Sequence, residues 1–376
     1  MTKIQGLDSC ELARELSSPL VAICILNWNG WRDTIECLES VRKLDYPNYL
    51  TIVIDNGSSN DSAERIKAWA EENLGSGHVL ADYRRETALH GGEAQTEQAL
   101  EHAPSPARLV LIRNEENLGF TGGNNVVFRY ALSRRKRADY LFALNNDATV
   151  KRDTLTHLVS TAIESGAGVV GAVVISKDRP DDRFEGPFSF LHNFFMPPLS
   201  SQRPKPDKRQ RFWTSDFVSG AAMLIRGDVL EELHRSTGEF LSSKLFMFWD
   251  EQAFCLQARR AGHSCVFSRD ATVDHEWGKS SDRRIRGYYT ERNKILLVNM
   301  ALPLKWKLAF HMVYLPIGLA RIVWATLRGK TVLAKTLLLS MCDGYRGIGG
   351  KWKYHDQRAG QMGCPTDASV TRALLK

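Results

Sequence analysis

The sequence predicts an α/β fold built on a mainly parallel, doubly wound sheet. Apolar runs suited to strands alternate with helix-patterned segments through the first 165 residues, the order that places helices on both faces of a parallel sheet. Several runs are apolar throughout, as in parallel strands covered on both faces. Each run ends in small polar residues, and ligands of such sheets bind at the carboxyl ends of the strands. We therefore expect a ligand site at that edge.

Four strands and three helices are predicted in this first half. The strands are 21–26, 50–54, 109–112 and 140–144, and the helices are 31–43, 60–69 and 126–132. Residues 84–106 show no apolar periodicity and are predicted to be a surface insertion. The basic cluster 134–137 is predicted to be a solvated loop.

The second half is more mixed. Strands are predicted at 169–175 and 217–225, helices at 152–164 and 252–261, and a loop-rich stretch at 177–212. Residues 166–171 read GAGVVG, which matches the G-x-G-x-x-G pattern of dinucleotide sites. That pattern must follow a strand and open a helix, whereas here a helix precedes it and a strand follows. It is therefore predicted to be a helix-to-strand turn.

Composition limits the partners. Hydrophobic residues make up 43% and charged residues 25%, which is ordinary for a globular chain. The formal net charge of +7 favours an anionic partner such as a nucleotide or a lipid phosphate. No nucleic-acid-binding motif is found, and the basic clusters are not interleaved with aromatics, so nucleic acid is not expected. The seven cysteines form no C-x-x-C pair, which argues against a zinc site or a disulfide scaffold.

Two acidic segments could carry chemistry. Asn145, Asn146 and Asp147 follow the buried run 140–144, where a carboxylate can bind a divalent cation. Asp250 and Glu251 follow the aromatic run FMFW. Carboxylates under aromatic side chains suit a general base with a raised pKa, although acids are also common at a helix N-terminus. His275 is a further candidate metal ligand or base.

Seven blocks, taken in order, resemble the family-2 glycosyltransferases, especially bacterial enzymes similar to rhamnosyl- and galactofuranosyltransferases of surface-polysaccharide assembly. The resemblance covers roughly residues 19–300. The blocks are ILNWNG (25–30), IVIDNGSSNDS (52–62), NLGFTGGNN (117–125), YLFALNNDATV (140–150), FVSGAAMLIRGDVL (217–230), FMFWDEQAFCLQARRAGH (246–263) and DATVDHEWGKSS (270–281).

The resemblance implies a GT-A fold, a Rossmann-like sheet flanked by helices with a helical C-terminal region, and a role for each matching position. Donor-binding residues would be Asn27, Asn29, Asp55, Asn56, Asn117, Gly119, Gly122, Gly123, Asn124 and Asn146, with Arg283 and Arg284 assisting at the diphosphate. The Mg²⁺ or Mn²⁺ ligands would be Asp147, Asn145 and His275. Glu251 would be the catalytic base, with Asp250 as the alternative.

Two departures from the family pattern matter. Asn145 stands where the first acid of the D-x-D motif is usual, so it adds no charge to the metal site. Glu251 and Ala253 stand where many relatives carry Asp. The implied reaction is inverting transfer of a rhamnose-like or other hexose from a dTDP- or UDP-sugar to a hydroxyl of a glycan or lipid-linked acceptor.

The C-terminal part predicts contact with a membrane surface. Residues 308–327 are long and apolar enough to be considered as a span, but they include Arg321 and Pro316. Flanking lysines, arginines and tryptophans are more typical of helices lying in the interface, although a helix packed on the catalytic domain stays an alternative. No apolar signal segment opens the chain, so we expect a cytoplasmic protein peripheral on the inner face of the cytoplasmic membrane.

The expected organisation is a catalytic domain at 19–285, with a nucleotide-binding half (19–150) and an acceptor half (151–285), then amphipathic helices at 286–345 and a tail at 346–376. Two other functions stay open. A sugar nucleotidyltransferase would share the fold class, but its basic glycine-rich N-terminal loop is missing. A non-catalytic nucleotide-sugar or glycan-binding module would keep Asp55 and the glycine-rich loop without needing the acidic pair.

Overall fold

The computed structural model describes residues 18–179, 181, 183–184, 188–189, 209–276 and 282–355. The chain divides into two compact units, Met1–Lys279 and Ser280–Lys376. The first is α/β and the second is helical. Most of the predicted loop-rich stretch at 177–212, and the end of the last motif block, lie outside the described residues.

Eleven strands of the described part form one sheet. They are β1 (Val21–Asn27), β2 (Tyr49–Asn56), β3 (Val79–Arg84), β4 (Arg108–Asn114), β5 (Tyr140–Asn145), β6 (Ala148–Val150), β7 (Val169–Ser176), β8 (Arg183–Phe184), β9 (Phe212–Ser215), β10 (Ala222–Arg226) and β11 (Cys265–His275). The main path runs β3-β4-β2-β1-β5-β10-β7-β11-β6. From β3 to β5 every pairing is parallel, whereas β10 is antiparallel to both of its neighbours. The predicted α/β fold is confirmed, with a parallel first half and a mixed second half.

Eight helices of the described residues belong to the first unit. They are α1 (Trp31–Val41), α2 (Ser62–Asn73), α3 (Arg85–Leu89), α4 (Ala94–His102), α5 (Gly119–Ser133), α6 (Thr154–Ser165), α7 (Gly227–Thr237) and α8 (Asp250–Arg260). Every residue of β2 is buried, which explains its mainly apolar sequence, because helices cover both faces of a parallel sheet. Because β1, β2, β4 and β5 pair in parallel, their carboxyl ends meet at one edge of the sheet.

The predicted surface insertion at 84–106 is wrong. This stretch holds α3 and α4, and it follows the edge strand β3, which the sequence did not predict. Its anchor is a buried ion pair: Arg134 Nε lies 2.8 Å from Glu97 Oε2, and the hydroxyls of Tyr83 and Tyr130 donate to Glu97 Oε1. Polar residues make these buried contacts, so the stretch shows little apolar periodicity. Arg134 is accordingly buried and is not part of a solvated loop.

Two other boundaries differ from those predicted. α5 begins at Gly119 rather than 126, so the glycine-rich segment forms the first turns of a helix. The strand expected at 217–225 is confined to β10, because residues 217–219 are irregular and residues 220–221 form a turn. The GAGVVG segment joins α6 to β7 through Gly166, which has a left-handed φ of 64°. It therefore has the helix-to-strand order that rules out the dinucleotide pattern.

The second unit contains α9 (Arg283–Ala301), α10 (Leu304–Leu327) and α11 (Thr331–Tyr345). Arg292 is buried within it, donating to Gly350 O at 2.7 Å and lying 4.8 Å from the centre of the Tyr289 ring. Gly318 lets α10 approach α11, because a Cβ there would lie 2.5 Å from Met341 Cε. By length and composition alone, α10 could cross a membrane, and most of its apolar side chains are exposed.

Candidate active site

The first part of the site lies where β1 and β2 end side by side. Asn27 and Asp55 are paired in register, and Asn27 Nδ2 donates to Asp55 Oδ1 at 2.6 Å. Thr34 Oγ1 holds the other end of the Asn27 amide, donating to its Oδ1 at 2.9 Å. Ser58 donates to the same Asp55 oxygen at 2.6 Å. These bonds fix the orientation of a buried carboxylate at the strand end.

Asn29 shapes the rim of this pocket. It has a left-handed φ of 57°, a conformation that asparagine tolerates better than most residues. Its backbone N–H donates to Ser58 Oγ at 2.8 Å, and its side-chain oxygen accepts from the N–H of Ser59 at 2.8 Å. The structure thus brings together three of the predicted donor residues, Asn27, Asn29 and Asp55. Ser58 and Thr34, which hold them, were not among the predicted residues.

Asn56 connects β2 to the glycine-rich segment. Its Nδ2 donates to Gly119 O at 3.0 Å, and the N–H of Gly119 donates to Asn117 Oδ1 at 2.8 Å. Gly119 has a left-handed φ of 74°, and a Cβ there would lie 2.4 Å from Phe246 O. Only glycine fits this contact without displacement.

The next glycines serve helix packing. A Cβ on Gly123 would lie 2.4 Å from Leu26 Cδ1, and one on Gly122 would lie 2.7 Å from Leu118 Cβ. Asn124 is buried and donates to Phe120 O at 2.9 Å. The structure therefore explains Gly123 by the approach of α5 to β1 and Gly122 by packing within α5, and a donor contact of these residues stays a prediction.

A candidate metal-ligand set lies where β5 and β11 end. His275 Nε2 is 3.0 Å from Asp147 Oδ1 and 3.3 Å from Asn145 Nδ2. The pairing of His275 with Ala148, between β11 and β6, brings the histidine to this point. His275 Nδ1 is buried and has no hydrogen-bond partner among the residues that the structure describes.

This donor set fits a divalent cation. A carboxylate, an imidazole and an amide, which can turn its oxygen toward the same point, are ligands suited to Mn²⁺ or Mg²⁺. No cluster of three His, Cys, Asp or Glu side chains occurs among the described residues, so the set depends on the Asn145 amide. Asn146 is directed elsewhere, because its Nδ2 donates to Thr34 Oγ1 at 3.1 Å.

The acidic pair opens α8 after a strained segment. Phe246, Phe248 and Trp249 have φ values of 63°, 65° and 65°, which are costly for bulky side chains and are often found at functional sites. The N–H of Thr121, in the first turn of α5, donates to Phe246 O at 3.1 Å. The glycine-rich segment is therefore hydrogen-bonded directly to the segment that presents Glu251.

The two acids differ in their surroundings. Asp250 is buried, and burial together with the neighbouring Glu251 charge raises its pKa well above the ordinary value. Glu251 is only partly buried; desolvation raises its pKa to about 6, opposed by hydrogen bonds from the backbone and from Gln252. Glu251 is the more exposed of the two acids, and near neutral pH it is mainly ionised.

The two arginines predicted at the diphosphate belong to the second unit. Arg284 is buried there, with Nη1 donating to Tyr354 O at 3.2 Å and the guanidinium 5.1 Å from the Trp352 ring centre. Arg283 is exposed. The role expected of them at the donor stays a prediction.

A match over most of the chain identifies the family. Residues 19–290 match the family described as "Glycosyltransferase like family 2". The chain belongs to this family.

Several proteins of known function or structure are similar to this family member. The low-salt glycan biosynthesis hexosyltransferase Agl10 of Haloferax volcanii is 25% identical over 147 residues, 38% of this chain and 44% of that protein. The aligned region thus spans less than half the length of this relative.

Solved structures show the same fold. The mannosyltransferase PcManGT from Pyrobaculum calidifontis, in complex with GDP-Man and Mn²⁺, has a TM-score of 0.52 at 15% identity, covering 87% of each chain. S. aureus TarS 1-349 in complex with UDP-GlcNAc has a TM-score of 0.50 at 13% identity, covering 87% of this chain and 81% of that one. The predicted GT-A fold is confirmed.

Proposed function

We propose that the protein is an inverting, metal-dependent hexosyltransferase that uses a nucleotide-diphosphate sugar and a hydroxyl acceptor. One observation carries the proposal: the hydrogen bond from Thr121 N–H to Phe246 O. It joins the helix turn held by Asn56 to the strained segment that presents Glu251. A donor seated by Asp55 and Asn56 would thus lie beside a carboxylate able to accept a proton.

The donor class follows from the chemistry of the strand ends. A fixed carboxylate at Asp55 can accept hydrogen bonds from a nucleobase N–H or a ribose hydroxyl. Two structural relatives hold GDP-Man and UDP-GlcNAc, one of them with Mn²⁺, and these ligands are of the proposed class. A dTDP- or UDP-linked hexose, such as a rhamnose-like sugar, is the donor that we propose.

Transfer then needs a base and a leaving group. Glu251 takes the proton of the acceptor hydroxyl as that oxygen bonds to the anomeric carbon. The bond between the anomeric carbon and the diphosphate oxygen breaks on the opposite face, so configuration inverts. Burial raises the pKa of Asp250 well above its ordinary value, and Glu251 is the more exposed carboxylate of the pair, so Glu251 is the member assigned as the base. A divalent cation held by Asp147, His275 and Asn145 would supply positive charge to the diphosphate.

The acceptor that we propose is a glycan or lipid-linked hydroxyl in cell-envelope polysaccharide synthesis, met at the cytoplasmic face of the membrane. The support comes from the second unit. α10 exposes large apolar side chains along its length, with Lys305 and Lys307 near its start and Arg328 and Lys330 after its end. Apolar exposure flanked by cations suits peripheral binding to anionic lipid.

The test uses the purified full chain with a panel of nucleotide sugars. Thermal stabilisation by one donor in the presence of Mn²⁺, lost in EDTA, would identify the donor and the metal requirement. Slow hydrolysis of that donor should fall about 10²–10⁴-fold in Glu251→Gln, with donor affinity unchanged. Donor binding without any hydrolysis or transfer would instead identify a non-catalytic binding module.

A further inference from the structure

We propose that a basic pocket in the second unit binds the phosphate group of a membrane lipid. The pocket has a volume of about 500 Å³ and is lined by residues of α9, the end of α10 and the start of α11. Its described lining residues all belong to the second unit, and none comes from the loops that follow β1 and β2.

Cations dominate the polar lining. Arg283, Arg321 and Lys330 all line the pocket and are exposed. Its two carboxylates are already engaged: Asp282 Oδ1 accepts from the N–H of Arg284 at 2.9 Å, and Glu291 accepts from Arg321 at 2.8 Å and from the Tyr314 hydroxyl. With Arg284, four cations line the pocket against these two carboxylates, so the pocket has a net positive charge, and guanidinium groups suit phosphate oxygens.

The lining also includes exposed aliphatic side chains. Val332 and Leu333 are 42% and 41% exposed at the pocket. Leu327, at the end of α10 just before pocket residue Gly329, is 82% exposed. Exposed aliphatic surface beside a cationic pocket fits an amphiphile, whose phosphate meets the cations while its chains meet the aliphatic side chains. A free nucleotide or inorganic phosphate would leave that apolar surface in water.

This inference gives Arg283 a role that differs from the one its sequence motif predicts. It rests on the membrane attachment proposed above and does not depend on the transfer chemistry. The lipid phosphate could belong to the acceptor or to the surrounding bilayer, and both share the same chemistry at this pocket.

The first test places a negative charge in the pocket without removing packing. Thr331 is exposed, lines the pocket and is the first residue of α11, where an acid favours the helix. Thr331→Asp should therefore fold, as circular dichroism would show, and should weaken binding to phosphatidylcholine vesicles containing phosphatidic acid by about tenfold or more. The neutral control Thr331→Asn should bind like the wild type. Equal binding by both variants would overturn the proposal.

A second pair of variants separates the pocket from general surface charge. Arg321→Gln with Lys330→Gln removes two positive charges from the pocket, and Lys305→Gln with Lys307→Gln removes two near the other end of α10. On phosphatidic acid vesicles the first pair should lose several-fold more binding than the second. On vesicles whose negative charge comes from oleate, at matched surface potential, the two pairs should behave alike. Equal losses of binding by the two pairs on phosphatidic acid vesicles would show general electrostatic attraction to the membrane, without a phosphate site in the pocket.

Two further measurements identify which proposal fails. Thermal stabilisation by inorganic phosphate alone, equal to that by phosphatidic acid vesicles, would overturn the lipid assignment. Wild-type protein that binds phosphatidic acid selectively but hydrolyses no nucleotide sugar would contradict the proposed transferase activity and support this site.

Discussion

His275 Nε2 lies 3.0 Å from Asp147 Oδ1, and the pair is joined by the Asn145 amide at the same end of the sheet. We expect Asp147→Ala to abolish Mn²⁺-dependent donor binding, because it removes the only carboxylate of the set. The fold should persist, since Asp147 is at a strand end. Calorimetric titration with donor, in Mn²⁺ and in EDTA, measures this. Full activity in EDTA would contradict the metal site.

The amide at Asn145 permits a gain-of-affinity prediction. Asn145→Asp adds a second carboxylate beside Asp147 and should tighten Mn²⁺ binding by about tenfold, since hard oxygen anions favour this ion. Asn146→Asp is the matched control, because Asn146 faces Thr34 and Gly30 instead. Electron paramagnetic resonance of unbound Mn²⁺ would report both variants. Equal tightening would mean that added charge, rather than ligation, is responsible.

Glu251 should set the acidic limb of the pH profile. Its pKa is raised to about 6, and a base works only when deprotonated, so kcat/KM should rise with pH and level off above about 6. An ordinary glutamate would give a midpoint near 4.5. Glu251→Asp should retain some turnover and a similar acidic limb of the pH profile, whereas Glu251→Gln should lose both. If Asp250→Asn is the inactive variant and Glu251→Gln works, the base is Asp250.

The same raised pKa has a stability consequence. A folded-state pKa above the unfolded value means that the folded protein holds the proton more tightly. Stability is therefore lost as pH rises from about 4.5 to about 6. Glu251→Gln should raise Tm by a few degrees at pH 8 and by little at pH 4. The reason is that ionised Glu251 lowers the free energy of unfolding by about 2 kcal/mol. Glu71→Gln, at an exposed position on α2, is the control and should show no such pH-dependent gain.

The predictable part of the site follows from local patterns. Asn27 and Asp55 end adjacent apolar strands, so parallel pairing alone brings them together. Asp250 and Glu251 follow an aromatic run and precede a helix pattern. In contrast, the ion pair between Glu97 and Arg134 buries charge where the sequence shows no apolar period. Such an anchor depends on two partners far apart in sequence, and its pattern resembles that of a solvated segment.

The contact between Gly119 and Phe246 likewise could not be predicted from the sequence. It can be tested by substitution. Gly119→Ala should destabilise the fold by more than about 1–2 kcal/mol, the cost of a left-handed alanine, because its Cβ would also lie 2.4 Å from Phe246 O. Gly75→Ala has a comparable φ of 84° with nothing within 4 Å of the added Cβ. Gly75→Ala should therefore be destabilised only by the cost of placing alanine in the left-handed region. Urea unfolding of both variants compares the two, and equal destabilisation would mean that the contact is loose.

Disrupting the Gly119 contact should also affect catalysis. The displaced helix turn would shift Asn56 relative to Glu251, so Gly119→Ala should lower turnover as well as donor affinity. Gly75→Ala should leave both unchanged. Hydrolysis of the identified donor at saturating concentration would separate the effect on turnover from that on binding.

The last prediction concerns membrane attachment through α10, whose exposed side chains include Met312, Val323 and Leu327. Exposed apolar surface of this kind calls for a partner, and under the proposed function the cations at both ends of the helix would direct it to anionic lipid. Neutralising Lys305, Lys307, Arg328 and Lys330 together should weaken vesicle binding strongly, since each cation near the surface contributes about 1 kcal/mol. Added salt should weaken wild-type binding in the same direction.

The control for that variant removes the same charge from the first unit. Gln replaces four exposed cations there: Lys43, Arg84, Lys136 and Lys151. If attachment is local to α10, this control should retain most of the wild-type binding to vesicles containing phosphatidylserine, measured by co-sedimentation. Net charge alone would weaken both variants equally. Equal wild-type binding to neutral and anionic vesicles would contradict the electrostatic contribution, and no binding to either would mean that the apolar face of α10 is covered by protein rather than by lipid.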